Sequence, residues 1–137
     1  MISFYSILPF GLGQEAEVTD WLLNVAARYG RTVESLEYVF VDDAYLHRMN
    51  LDHLGHDTLT DIITFDYSVS ASIVGEIYIS VERVQDNAQD LSIPFIDELH
   101  RVLVHGLLHI CGMSDGTSDQ EREMRLAEDL SLGLRMF

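Results

Sequence analysis

Residues 105–115 read His-Gly-Leu-Leu-His-Ile-Cys-Gly-Met-Ser-Asp, and they constrain the fold more than any other stretch of the chain. Residues four apart on an α-helix share a face, one turn apart, so His105 and His109 present their imidazoles together. The helix that carries them is apolar around most of its girth. Ile96, Leu99, Leu103, Leu107 and Ile110 form one stripe, with Val102, Val104 and Leu108 beside it. The histidines lie on the other side, near Glu98 and Arg101. A helix of this kind is expected at the centre of the fold, covered on several sides. Imidazoles held there need partners, because an unpaired buried polar group costs roughly 1–3 kcal/mol. A shared metal ion satisfies both rings; hydrogen bonds to backbone and carboxylates are the alternative.

The spacing is that of zinc-binding helices, in which proteases place a glutamate directly after the first histidine. Gly106 stands there. The pair therefore suggests a metal without suggesting peptidase chemistry. The histidines are 47, 53, 56, 100, 105 and 109, so none follows His109. A third ligand from the loop that ends the helix must then be an acid. Gly112 can adopt the left-handed conformation that stops the helix and turns the chain back. Asp115 is then the first choice and Asp119 the second. Cys111 also stands close, but a small buried hydrophobe at a helix end is the simpler reading.

The chain has 137 residues, of which 47% are hydrophobic, enough for one domain, 1–137, with its own core. One cysteine excludes an internal disulfide and suits a reducing compartment. With no apolar run near the roughly 18 residues of a membrane span and no signal pattern, a cytoplasmic location and no membrane partner are expected. All eight basic residues are arginine, and the formal net charge is −15. Broad electrostatic binding to nucleic acid is disfavoured, although a local arginine or metal site can still engage phosphate.

Strands are expected over 2–8, 36–41, 62–67 and 75–80. Helices are expected over 15–29, 44–51 and 81–90, from Pro94 to about 111, and from about 118, where Ser118 and Glu121 fit a capping box. Residues 52–57 read as a polar loop. The fold class is α+β: a small mixed sheet of about four strands, packed against a central metal-binding helix and several surrounding helices.

The stretch at 105–115 resembles the signature His-Gly-x-Leu-His-Leu-x-Gly-Tyr-Asp-His of the YbeY-type endoribonucleases, the bacterial rRNA maturation factors. Leu59-Thr60-Asp61-Ile62-Ile63-Thr64-Phe65 is similar to a second segment of that family, and Gly75-Glu76-Ile77-Tyr78-Ile79-Ser80 to a third. The three stand in family order and spacing, so the resemblance covers essentially the whole chain. It implies one divalent metal, generally zinc, on His105 and His109, with Asp115 at the place of the third histidine. An anionic third ligand makes a metal-held water less acidic than three histidines do. The family's arginine before the Thr-Asp segment falls on Leu54; His56 and Arg48 are the nearby replacements.

The resemblance implies metal-assisted cleavage of single-stranded RNA in rRNA processing and ribosome quality control. With Gly106 after the first histidine, the base would be hydroxide at the metal, or Asp61 or Glu76, and His56 would be the catalytic side chain in the place of the family's arginine. Thr60, Thr64 and Ser80 would form polar walls. The expected partners are an rRNA precursor and, given the acidic surface, ribosomal proteins; DNA is not expected. The alternatives are an assembly factor with a structural metal and no enzymatic activity, or a metal-dependent hydrolase of another substrate.

Overall fold

The computed structural model describes residues 1–55 and 59–137. In chain order the elements are β1 (Ile2–Ser6), α1 (Glu15–Arg28), β2 (Thr32–Val41), α2 (Asp43–Met49), a π-helical turn (Asn50–Leu54), β3 (Ile62–Asp66), β4 (Ser72–Ser80), α3 (Val81–Leu91), α4 (Phe95–Ile110) and α5 (Ser118–Leu132). The sheet order is β1-β2-β4-β3, with β1, β2 and β4 parallel and β3 antiparallel to β4. This is the mixed four-stranded sheet of an α+β fold.

Alternation along the strands assigns the two sheet faces. Leu36, Tyr38 and Phe40 of β2, with Ile73, Ile77 and Ile79 of β4, are buried in the main core. Helix α4 crosses this face. The Tyr38 hydroxyl donates to the Leu103 carbonyl at 2.8 Å, so the middle of α4 is tied to the sheet by a bond as well as by packing. On the opposite face α2 covers a smaller cluster, in which Val41, Leu46 and Ile63 are buried against Tyr78, Phe65 and Val39.

Burial on α4 runs almost all the way round, as its sequence implies: Leu99, Leu103, Leu107 and Leu108 are each fully buried. Ile96 departs from the expected stripe, at 42% exposed. It lies in the first turn, and continuous burial starts only at Glu98. Pro94 is the residue before the helix rather than part of its first turn.

Other boundaries move for identifiable reasons. β2 and β4 begin earlier than their apolar runs, because Thr32 and Val33 pair with Ser72 and Ile73 across a register irregularity next to Ser35. Residues 52–54, expected as loop, extend α2 as the π-helical turn. The capping box of α5 is one residue earlier than the pattern suggested. Thr117 accepts from the Gln120 N–H, and the Gln120 side chain accepts from the Thr117 N–H, both at 3.2 Å. Ser80 caps α3, accepting from the Arg83 N–H, as expected.

Two glycines set how closely α4 approaches the sheet. A Cβ on Gly106 would stand 2.9 Å from Ile77 Cδ1 and 3.0 Å from Ile62 Cδ1. A Cβ on Gly75 would stand 2.8 Å from the Phe65 carbonyl oxygen and 3.1 Å from Ile110 Cδ1. At Gly106 the obstacles are side-chain ends that can give way; at Gly75 the obstacle is backbone held by strand pairing. Gly75→Ala is therefore expected to lower the unfolding free energy by about 1–3 kcal/mol. Gly106→Ala should cost less, because the roughly 1 kcal/mol of helix propensity that alanine gains offsets the displaced methyls. Urea unfolding of both variants checks the order.

At the other end of α4, His100 is buried between the rings of Trp21 and Phe137, and its Nδ1 accepts from Arg135 Nη1 at 2.8 Å. Burial, reinforced by the Arg135 charge, pushes its pKa from 6.5 to about 4, against a smaller upward pull from Asp97. The folded state thus disfavours the proton that the unfolded chain takes up below pH 6.5. Stability from this group is complete above that pH and is lost as pH falls through about 4. Between pH 7 and pH 4 the wild type should lose on the order of 3 kcal/mol more than His100→Gln. Equal losses in denaturant titrations would contradict this account.

Candidate metal centre

Helix α4 ends in a Schellman motif that shapes the site. Gly112 has φ 107°, the Gly112 N–H donates to the His109 carbonyl at 3.0 Å, and the Met113 N–H donates to the Leu108 carbonyl at 3.1 Å. Arg31, in the loop after α1, adds a cation at this negative helix end by donating to the Ile110 carbonyl at 2.9 Å. The reversed chain then brings Asp115 back over the last turn of the helix.

His105 Nε2 and His109 Nε2 are 3.0 Å apart, and Asp115 Oδ2 is 3.5 Å from the first and 3.4 Å from the second. Three donors at tetrahedral angles around an ion at about 2.0–2.1 Å would be separated by about 3.3 Å, so the observed triangle has the right size. The protons agree. His109 Nδ1 lies 2.9 Å from the Met113 carbonyl, which can only accept, so this nitrogen carries the hydrogen. His105 Nδ1 lies 2.5 Å from Glu128 Oε2 and donates to it in the same way. In its neutral form each ring therefore turns a bare Nε2 lone pair toward the other and toward a carboxylate. Three acceptors then converge, an arrangement that a proton or a metal cation relieves. Among the described residues, this is the group of ligating side chains that could share a metal ion.

The surroundings are polarised. Burial pulls the His105 pKa down, but the hydrogen bond and charge of Glu128, with Asp115 and Asp61, outweigh it and leave the ring more basic than a free imidazole. On the His105 side lies a cleft of about 420 Å³ lined by Asp61, Asn87, Arg101, Asp115, Arg125 and Glu128, among others. Burial raises the Asp61 pKa, opposed by its own backbone hydrogen bond and by His105 and Arg101; Asn87 Nδ2 donates to its Oδ2 at 3.2 Å. On the His109 side lies a cleft of about 470 Å³ that includes Leu54, Thr60, Ile62, Thr64 and Asp66. Among the described residues that line it, Asp66 is the only acid and none is arginine.

The structure thus gathers His105, His109, Asp115 and Asp61 into one region. It does not bring Glu76 there. Glu76 alternates with Ile77, so it lies on the opposite sheet face, accepting from the Tyr67 and Tyr78 hydroxyls at 2.9 Å each. Asp119 is exposed in the first turn of α5, paired with Arg122. His56 lies outside the described residues. Thr60 bonds its own strand start, donating to the Ile62 carbonyl, and Ser80 is spent on the α3 cap and on Asp43. Cys111 packs against the core, and burial pushes its thiol up. Sequence reasoning missed Glu128 and the Met113 carbonyl. The latter follows from the Schellman turn that Gly112 signals. Glu128 is one of many acids in a polar helix, and no local pattern marks it.

Residues 13–133 match the family model described as Endoribonuclease YbeY. A relative from Flavobacterium johnsoniae named Endoribonuclease YbeY is 46% identical over 98% of this chain and 96% of its own. One of the same name from Cytophaga hutchinsonii is 49% identical over 93% and 90%. A solution structure of a Thermotoga maritima protein shares the fold, with a TM-score of 0.68 over 98% of this chain and 88% of that one, at 23% identity. The match to the family model spans three of the four strands (β2, β3 and β4), the histidine helix and all of α5, and on that ground the chain belongs to the Endoribonuclease YbeY family.

Proposed function

We propose that the chain is a metal-dependent endoribonuclease that cuts single-stranded RNA of rRNA precursors in the cytoplasm. The observation that carries the metal part is the triangle of two bare imidazole nitrogens and one carboxylate oxygen, with both Nδ1 protons already donated elsewhere. The membership in an endoribonuclease family carries the reaction class. His105, His109 and Asp115 would hold the ion, and a donor set of two nitrogens and one oxygen suits zinc. Bound there, a divalent cation supplies a Lewis acid for phosphoryl oxygen and lowers the pKa of water.

The remaining roles belong to the side chains. Asp61 is the proton-handling group. It faces the same cleft as His105, and burial moves its carboxyl toward the pH range in which proton transfer works in both directions. Gly106 has no side chain to serve, and it is the residue at which α4 lies against Ile77 and Ile62 of the sheet. The phosphodiester backbone would lie in the His109-side cleft, where among the described residues it meets one carboxylate instead of several. Leu54 lines that cleft and is 47% exposed, so it contributes no charge to phosphate. Affinity for free RNA is accordingly low, and the substrate would be RNA presented within a ribosomal particle, with ribosomal proteins supplying contacts that this acidic chain lacks.

Cleavage of a single-stranded rRNA segment, assayed with zinc-loaded protein, tests this reading. Chelation should abolish cleavage, and His109→Ala and Asp115→Ala should each lower it about 100-fold or more, the scale of losing one preorganised electrostatic group. Activity that survives in metal-free protein refutes the metal-dependent mechanism. A zinc-loaded wild type that cuts no RNA, free or in particles, refutes the enzymatic reading in favour of a structural metal. Leu54→Arg locates the strand. A guanidinium in the His109-side cleft should lower KM and steepen the salt dependence by about 0.7 in log–log slope per phosphate contact. Unchanged salt dependence would move the RNA to another surface.

A further inference from the structure

We infer that Glu128, held in place by Arg101, is the positioning residue that fixes His105 as a metal ligand and couples the docking of α5 to metal binding. The inference rests on the metal reading above and goes beyond its three ligands.

Glu128 is 4% exposed, on the inner face of α5. Its two oxygens face two different partners. Oε2 lies 2.5 Å from His105 Nδ1, and Oε1 lies 3.4 Å from Arg101 Nη1. Arg101 stands one helical turn before His105 on α4, and its other terminal nitrogen pairs with Glu98. The side chains of Arg101, Glu98 and Glu128 are 13%, 3% and 5% exposed. Carboxylates this buried are stable only when paired, and one guanidinium serves both of them. The more exposed Arg125, with Nε 3.9 Å from Glu128, contributes little. Glu128 therefore cannot leave His105 without either breaking its contact with Arg101 or taking an unpaired charge into the core.

The consequence for the ring is chemical. A neutral imidazole carries its hydrogen on one nitrogen, and only the other can bind a metal. A carboxylate at Nδ1 selects the tautomer with a bare Nε2 and makes that nitrogen a stronger donor. The two ligands are held by different means. His109 is fixed by the Met113 carbonyl four residues on, within the turn that ends its own helix. His105 is fixed by a residue 23 positions away on another helix. The His109 half of the site is thus built into α4 and its terminal turn, whereas the His105 half is complete only when α5 is docked.

The test uses full-length, metal-free protein and zinc alone as the probe, with affinity read by competition against a chromophoric chelator. Glu128→Ala should weaken zinc binding by about 10–100-fold, the range for loss of such a partner. Glu128→Gln, whose amide oxygen still accepts the Nδ1 hydrogen, should weaken it less; it also keeps the test alive if the alanine variant does not fold. At a pH high enough to keep the ring neutral, long-range ¹⁵N correlation spectra of the metal-free protein should show His105 with its hydrogen on Nδ1 in the wild type and a mixture of tautomers in Glu128→Ala. Arg101→Met should lower zinc affinity in the same direction. A role confined to stability would lower the unfolding temperature and leave zinc affinity and the His105 tautomer unchanged; that result overturns the inference. Failure of the metal reading looks different: the wild type would bind zinc no better than His109→Ala.

Discussion

Two imidazole nitrogens meet 3.0 Å apart beside a carboxylate oxygen, and the rest of the structure arranges that encounter. Left alone, such an arrangement is repulsive, and either ring would take a proton or turn away. It persists because each ring is pinned from behind, one by a carbonyl and the other by a carboxylate. The helix beneath cannot rotate, since Gly106 is seated on Ile77 and Ile62 and Tyr38 holds the Leu103 carbonyl. The packing of α4 is thus what gives the site its precision. A divalent cation would complete the set of charges that this packing brings together.

That dependence explains the division of the surface around the site. The His105 side carries several acids, while the His109 side has one among the described residues. Under the proposed function, a polyanion would meet less repulsion on the second side than on the first. A chain with net charge −15 has little long-range attraction for RNA, so under the proposed function recognition would depend on a bound metal and on contacts from a ribonucleoprotein particle.

Much of this was legible in the sequence, to the extent that local periodicity encodes it. The four strands, the buried central helix and the pairing of His105 with His109 all follow from spacing of two or of three to four residues. Asp115 was legible because Gly112 predicts the reversal and no histidine follows. Glu76 shows how the same logic can be misapplied. Ile77 and Ile79 mark the core face of β4, so period-two alternation already turns Glu76 away from α4. The longer reach of β2 was hidden because Glu34 and Ser35 interrupt the apolar pattern while the backbone continues to pair. Glu128 was not legible at all. Its meeting with His105 depends on how α5 docks, which sequence periodicity does not encode.

The most direct test of the central claim is X-ray absorption at the metal edge together with anomalous diffraction from the purified protein. The account predicts one ion per chain, bound by His105 and His109 nitrogens at about 2.0–2.1 Å and by an Asp115 oxygen at about 2.0–2.2 Å. A protein that takes up no divalent metal, or an ion found away from these three side chains, would contradict it.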